Sequence, residues 1–185
     1  MIGHKPAGLS QRQRLLFETN INWLHQAISV IKDLDDAAYT AHRTGSHFRH
    51  IIDLYDCFLD GAVSGHIDYD ARARDESIAR YSRVALDKLQ SLAGRMAAHE
   101  SLCRDHVVFV RMEDADALDL EDPFLMSTIG RELQALSSHT VHHFALIAMN
   151  LRHLGIRVPP NFGAAPSTLR HENTRAMAMM AAEAA

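Results

Sequence analysis

STIGRELQALSSHTVHHFALIAMNLRHL, residues 127–154, is the stretch whose reading decides the fold. Ile129, Leu133, Leu136, Thr140, His143, Ile147 and Leu154 recur at helical spacing, so one stripe of a single long helix faces inward. Ser127 or Thr128 can cap its start, and Gly155 supplies a stop. Its middle reads Ser138-His139-Thr140-Val141-His142-His143-Phe144. His139 and His143 are four apart, which places both imidazoles on one face, one turn above the other and on the apolar stripe. Two nitrogens so placed can share one metal ion. An open catalytic site uses three protein ligands, so the third must come from elsewhere.

A second helix is predicted at about His47 to Ala62, behind a stop and cap at Gly45-Ser46, with Ile51, Leu54, Tyr55, Phe58 and Leu59 inward. His50 leads Leu54 and Cys57 by four and seven residues, so it can face the neighbouring helix and complete the ligand set. His47, three residues earlier, can compete for that role. Ligating imidazoles usually donate their other N–H to a polar group, and Asp53, Glu132 and Asn150 are placed to receive it. Tyr55 joins Asp53, Glu132 and Asn150 as a candidate for orienting ligands or substrate. His142 reads as a packing or supporting residue and Cys57 as packing. His4, His25, His42, His66, His99, His106, His153 and His171 read as surface or structural.

Two further helices complete the pattern. Leu15 to Leu34 carries Phe17, Ile21, Leu24, Ile28 and Ile31 on one stripe. Glu76 to Ala98 carries Ile78, Tyr81, Ala85, Leu89, Leu92 and Met96. Between the second and third helices, Gly61, Gly65 and the charged run Asp68 to Glu76 predict a solvated loop. His106 to Met112 is short and β-branched, an extended segment or half of a small hairpin between helices three and four. The acidic run Glu113 to Asp122, closed by Pro123, reads as a linker. Val158-Pro159-Pro160 excludes helix, Asn161 to Ser167 reads as coil, and the Ala- and Met-rich residues from Thr174 onward either form a last helix or fray. The expected architecture is all-α, a four-helix bundle.

The chain has 185 residues, with 19 Lys and Arg against 23 Asp and Glu and a formal charge of −4. That is one domain's length, and the acidic balance argues against a nucleic-acid partner. The expected boundaries are an N-terminal segment 1–14, a bundle 15–169 and a tail 170–185. No apolar run approaches the ~18 residues of a membrane span, and the first 20 residues have no export signature, so a cytoplasmic location with no membrane partner is expected. Two cysteines cannot build a disulfide framework or a zinc knuckle.

The segments HFRHIIDLYDCFLDG (47–61) and RELQALSSHTVHHFALIAMNLRHLG (131–155), with the tail NFGAAPSTLRH (161–171), together resemble the DinB/YfiT-like superfamily. The resemblance covers about Leu15 to Leu169 and implies a four-helix bundle in up-down-down-up order. It also implies a divalent metal held by three histidines, here His50, His139 and His143. Zinc is the default ion, with nickel or iron as alternatives. Relatives in that superfamily include thiol-dependent S-transferases and isomerases, so the expected function is a metal-dependent enzyme that activates a thiol or water for transfer or hydrolysis. Thiol transfer is slightly favoured. A small-molecule substrate, such as a low-molecular-weight thiol, and a homodimer go with that reading. The alternative is a non-catalytic metal- or ligand-binding stress-response protein.

Overall fold

The apolar stripes of the sequence become the contact faces of long helices. The computed structural model of the chain describes residues 7–112 and 123–183, so the acidic linker expected at 113–122 lies outside the described residues. Helices α1 (Ala7–Ile31), α2 (Asp36–Thr40) and α3 (Thr44–Ala62) are followed by strand β1 (His66–Asp68). Then come α4 (Glu76–Arg80), α5 (Ser82–Ala98), β2 (Val107–Arg111), β3 (Leu125–Thr128), α6 (Ile129–His153) and α7 (Pro166–Glu183). The protein is mostly helical, with one small sheet. Helix α1 packs on α5 and α6, and α3 packs on the same two. No helix among the described residues is long and apolar enough to cross a membrane.

Their shared core holds Leu24, Ile31, Phe48, Ile51, Ile52, Tyr55, Phe58, Leu89, Leu92 and Phe144, each almost fully buried. A polar network threads it. Asn20 Nδ2 donates to the Leu133 carbonyl at 3.0 Å, and Tyr55 Oη donates to Asn20 Oδ1 at 2.7 Å. Thr140 Oγ1 lies 3.5 Å from Tyr55 Oη. One set of buried hydrogen bonds thus joins α1, α3 and α6 and sets their register, since each group would be costly to bury without its partner.

Several boundaries differ from the sequence expectation. Helix α1 begins at Ala7, so the segment boundary expected at 14 falls inside a helix. The predicted third helix breaks at Tyr81, whose backbone is extended (φ −119°, ψ 112°), and Tyr81 is exposed rather than inward. Gly45 is not a stop but a buried position inside α3. A Cβ there would meet the Ala79 carbonyl oxygen at 2.1 Å, so only glycine lets α4 lie this close. The α3 start is made instead by His42 and Arg43, both left-handed (φ 51° and 63°). Helix α7 takes up part of the expected coil and the tail beyond it, across the boundary expected at 169.

The loop expected after α3 is also partly ordered. Gly61 admits the backbone of β1, since a Cβ would sit 2.2 Å from the His66 carbonyl oxygen, and Ile67 is fully buried. Strand β1 pairs in parallel with β2, Ile67 opposite Val110, across the α4–α5 crossover such a pair requires. Strand β2 is the extended segment expected from its β-branched run, and it pairs antiparallel with β3, Val107 opposite Thr128. Val108 and Val110 point inward while Val107 and Phe109 point out, the period-2 alternation of a one-sided sheet. The sheet delivers the chain to α6. Thr128 caps that helix, its side chain accepting from the Arg131 amide.

Candidate metal centre

Helices α3 and α6 pack side by side, and their histidines meet between them. His50 Nε2 lies 2.7 Å from His139 Nε2, and His143 Nε2 lies 3.0 Å from the same atom. One ligand atom from each of the three falls within 4.8 Å of the others. The i, i+4 pair on α6 and the single histidine on α3 therefore converge through the same ring nitrogen. A neutral imidazole has one N–H and one lone pair, so these contacts are N–H···N hydrogen bonds whose direction the tautomers decide. With the ring protons on Nδ1, the three Nε2 lone pairs can hold a cation instead, and the donor set suits zinc, nickel or iron. These residues fit such an ion.

The electrostatics favour the neutral ring that ligation needs. Burial, followed by the neighbouring His139, His50 and His47, holds the His143 pKa down to about 3. His143 is half-buried, but His139 is exposed; it stands at the wet edge of the stripe rather than inside it.

The remaining candidates divide clearly. His47 does not join the three; its Nδ1 lies 3.0 Å from His143 Nδ1, on the far side of that ring. Its own pKa is lowered, by burial first and then by Arg43 and His142, which keeps it a neutral hydrogen-bond partner. His142 is exposed, with its ring edge-on to His143 at 5.4 Å between centroids. Asn150 points elsewhere: its Nδ2 donates to the His42 carbonyl at 2.9 Å and so holds the left-handed turn before α3. Tyr55 belongs to the core network and does not line the pocket beside the histidines. Asp53 is buried, which raises its pKa, with Arg49 and Arg72 pulling the other way. Cys57 is half-buried and its thiol is pushed up to about 11 by burial and the nearby Asp53, Asp56 and Asp60, so it is no ready nucleophile.

Glu132 is 6 % exposed, and its carboxylate accepts from Tyr69 Oη (3.1 Å) and Ser127 Oγ (2.6 Å). Burial and the adjacent Glu132 raise the Tyr69 pKa, so the phenol stays protonated and donates. Between this pair and the histidines lies a cavity of about 190 Å³, bounded also by Leu54 and Leu136. Arg72 enters its wall, with Nη1 3.3 Å from His50 Nδ1. Tyr69, Arg72 and Ser127 were not visible as site residues in the sequence, because they lie outside the helical repeat. A larger opening of about 610 Å³ shares no residue with the cluster and is lined mainly by exposed side chains such as Gln11, Arg14 and Glu100.

No family model matches the chain, and no solved structure matches it. The chain is similar to FK506-binding protein 5 of Rhizopus delemar, at 31% identity over 159 residues. That match takes in 85% of this chain but spans only 38% of the relative's length.

Proposed function

We propose that the chain is a DinB/YfiT-like metal-binding protein in which His50, His139 and His143 hold one divalent ion, zinc by default, and that it acts as a metal-dependent transferase or hydrolase. The observation that carries this reading is the convergence of three Nε2 atoms from two helices. The mutual packing of α1, α3, α5 and α6 supports reading the helices as the four-helix bundle of that superfamily. When bound, the ion supplies Lewis acidity that makes a thiol or a water molecule nucleophilic near neutral pH. The chain's own residues do the rest. His47 orients His143 through the Nδ1 contact, and the neighbouring cavity holds a small molecule against the ligands.

The exposed edge at His139 and the cavity beside it favour an enzyme over a closed structural site, since a structural ion has its coordination filled by protein. Thiol transfer goes with the family reading. The relative's name refers to FK506 binding, but a cavity of about 190 Å³ is below the ~300–1,000 Å³ usual for drug-sized ligands, so we do not extend that activity to this cavity. A homodimer also goes with the family reading, and exposed Met177, Met179 and Met180 on α7 offer apolar surface for it; a monomer mass in light scattering rejects it.

Metal content of the untagged protein, purified without chelator, tests the centre. Near one equivalent in the wild type and none in a His50→Ala, His139→Ala, His143→Ala variant is the expected result. No metal in either, even after reconstitution with zinc or nickel, overturns the reading.

A further inference from the structure

Glu132 is a buried carboxylate on the same helix face as two of the histidines. Seven residues separate it from His139 and eleven from His143, and both offsets return to within ~20° of one line along α6. The axial distance from Glu132 to His139 is ~10.5 Å. The cavity fills the interval, walled by Leu54, Ala135 and Leu136, and both Glu132 and His139 line it. Its ends therefore differ in chemistry, with imidazoles at one and a carboxylate at the other.

Among the described residues, Glu132 is held by hydrogen bonds from hydroxyl groups. Tyr69 and Ser127 each donate one hydrogen bond, one to each oxygen, whereas a carboxylate can accept about four. Both donors are neutral hydroxyls. Among the described residues no Lys or Arg lies within ion-pair distance of it. The other charged groups of the lining are engaged elsewhere: Asp70 lies 3.6 Å from Arg111 Nε, and Arg72 lies against His50. A buried carboxylate with acceptor sites to spare, opening on a cavity, suits a ligand that brings a cation.

We propose that this cavity is a subsite for a small primary amine, whose ammonium group donates to the Glu132 carboxylate while the rest of the molecule extends toward His139. The ammonium end stands without a metal; the use of the other end at the histidines rests on the metal-centre reading. The volume is that of about six water molecules, which limits the ligand to a short chain. In the proposed transferase or hydrolase the substrate class is then an amine-bearing thiol or a comparably small amine.

The test uses the full chain after chelator treatment, so that no ion contributes. n-Butylamine, butan-1-ol and butyrate are titrated near neutral pH, and NMR shifts of Ala135 and Leu136 report binding. Butylamine is expected to bind at least about tenfold more tightly than the alcohol, and Glu132→Gln to bring the two within about threefold. Equal affinities in the wild type overturn the proposal, as does an amine preference that survives Glu132→Gln. Tighter binding of butyrate also overturns it, assigning the selectivity to Arg72. If Glu132→Gln does not fold, the wild-type series still decides, and Tyr69→Phe, which spares the carboxylate, is expected to keep the amine preference. Metal content is measured separately, so loss of amine selectivity and loss of the metal centre are distinguishable.

Discussion

Replacing His47 by Phe removes one hydrogen-bond partner from the centre and leaves all three ligands in place. Ligation through His143 Nε2 requires its proton on Nδ1, and that proton then donates to His47 Nδ1 at 3.0 Å. The contact is half-buried and joins two neutral rings, so its net value is ~0.5–1.5 kcal/mol. Partners of this kind typically change metal affinity by ~10–100-fold when removed. A single neutral bond places His47→Phe near the lower end, about tenfold, or ~1.4 kcal/mol. Zinc affinity measured by competition with a chromophoric chelator checks it. Asparagine carries an oxygen close to where the histidine Nδ1 sits, so His47→Asn is expected to recover most of the loss. Affinity within about twofold of wild type in His47→Phe refutes the reasoning, and so does an Asn variant as weak as the Phe one. A loss as complete as that of His143→Ala makes His47 a ligand instead.

Three further outcomes follow from the same contacts. In the unfolded chain His143 takes up a proton near pH 6.5, but in the folded protein only near 3. The unfolded state therefore binds the extra proton between those values, and stability falls as pH drops below about 6.5, by at most ~1.4 kcal/mol per pH unit for this group. The urea midpoint of the metal-free protein should fall between about pH 7.5 and pH 5, and fall less in His143→Gln; equal falls refute the assignment. Tyr55→Phe strands Asn20 Oδ1 in the core and should cost ~1–3 kcal/mol in urea unfolding while leaving metal content unchanged. Gly61→Ala drives a methyl group against β1 backbone rather than a movable side chain, and should destabilise by ~1–3 kcal/mol, with a change below about 0.5 counting against the close approach.

The helices were legible because their burial is periodic. The inward residues expected of α3, Ile51, Leu54, Tyr55, Phe58 and Leu59, are all buried. So are Ile129, Leu133, Leu136, Thr140 and Ile147 on α6. On α1 the deepest positions are Leu24, Ala27 and Ile31, with Ile21 and Ile28 only at the margin. The pairing of His50 with His139 and His143 followed from spacing on two helices plus a family resemblance, and the geometry brings those three together. What stayed hidden depends on contacts between segments distant in sequence. Residues 66–68 carry no strand signal of their own; they are extended because Gly61 leaves room and β2 supplies the pairing edge. Of the two expected caps of α6, Thr128 takes that place, while Ser127, the last but one residue of β3, donates to Glu132. Asn150 looked like a partner for His143 at two helical turns, but its amide answers a carbonyl freed by the left-handed His42.

Stability and site chemistry occupy different faces of the same two helices, and this separation makes the ligand variants interpretable. Thr140 follows His139 by one residue, a rotation of ~100°, and it faces the Tyr55 network while His139 faces water. Tyr55 follows His50 by five residues, which turns it ~140° away, into the core. Removing all three imidazoles therefore cuts no hydrogen bond of the Asn20, Tyr55 and Thr140 network and empties no core position. What it does remove are the part-exposed hydrogen bonds among His47, His50, His139 and His143, each of modest net value. The metal-free triple variant should thus keep its helical circular dichroism and unfold at a urea midpoint only slightly below that of the metal-free wild type. Zinc should widen that gap, because only the wild type gains the binding free energy of the ion. A triple variant that loses its helical circular dichroism in the absence of metal shows that the imidazoles are part of the packing, and the division between the two faces fails.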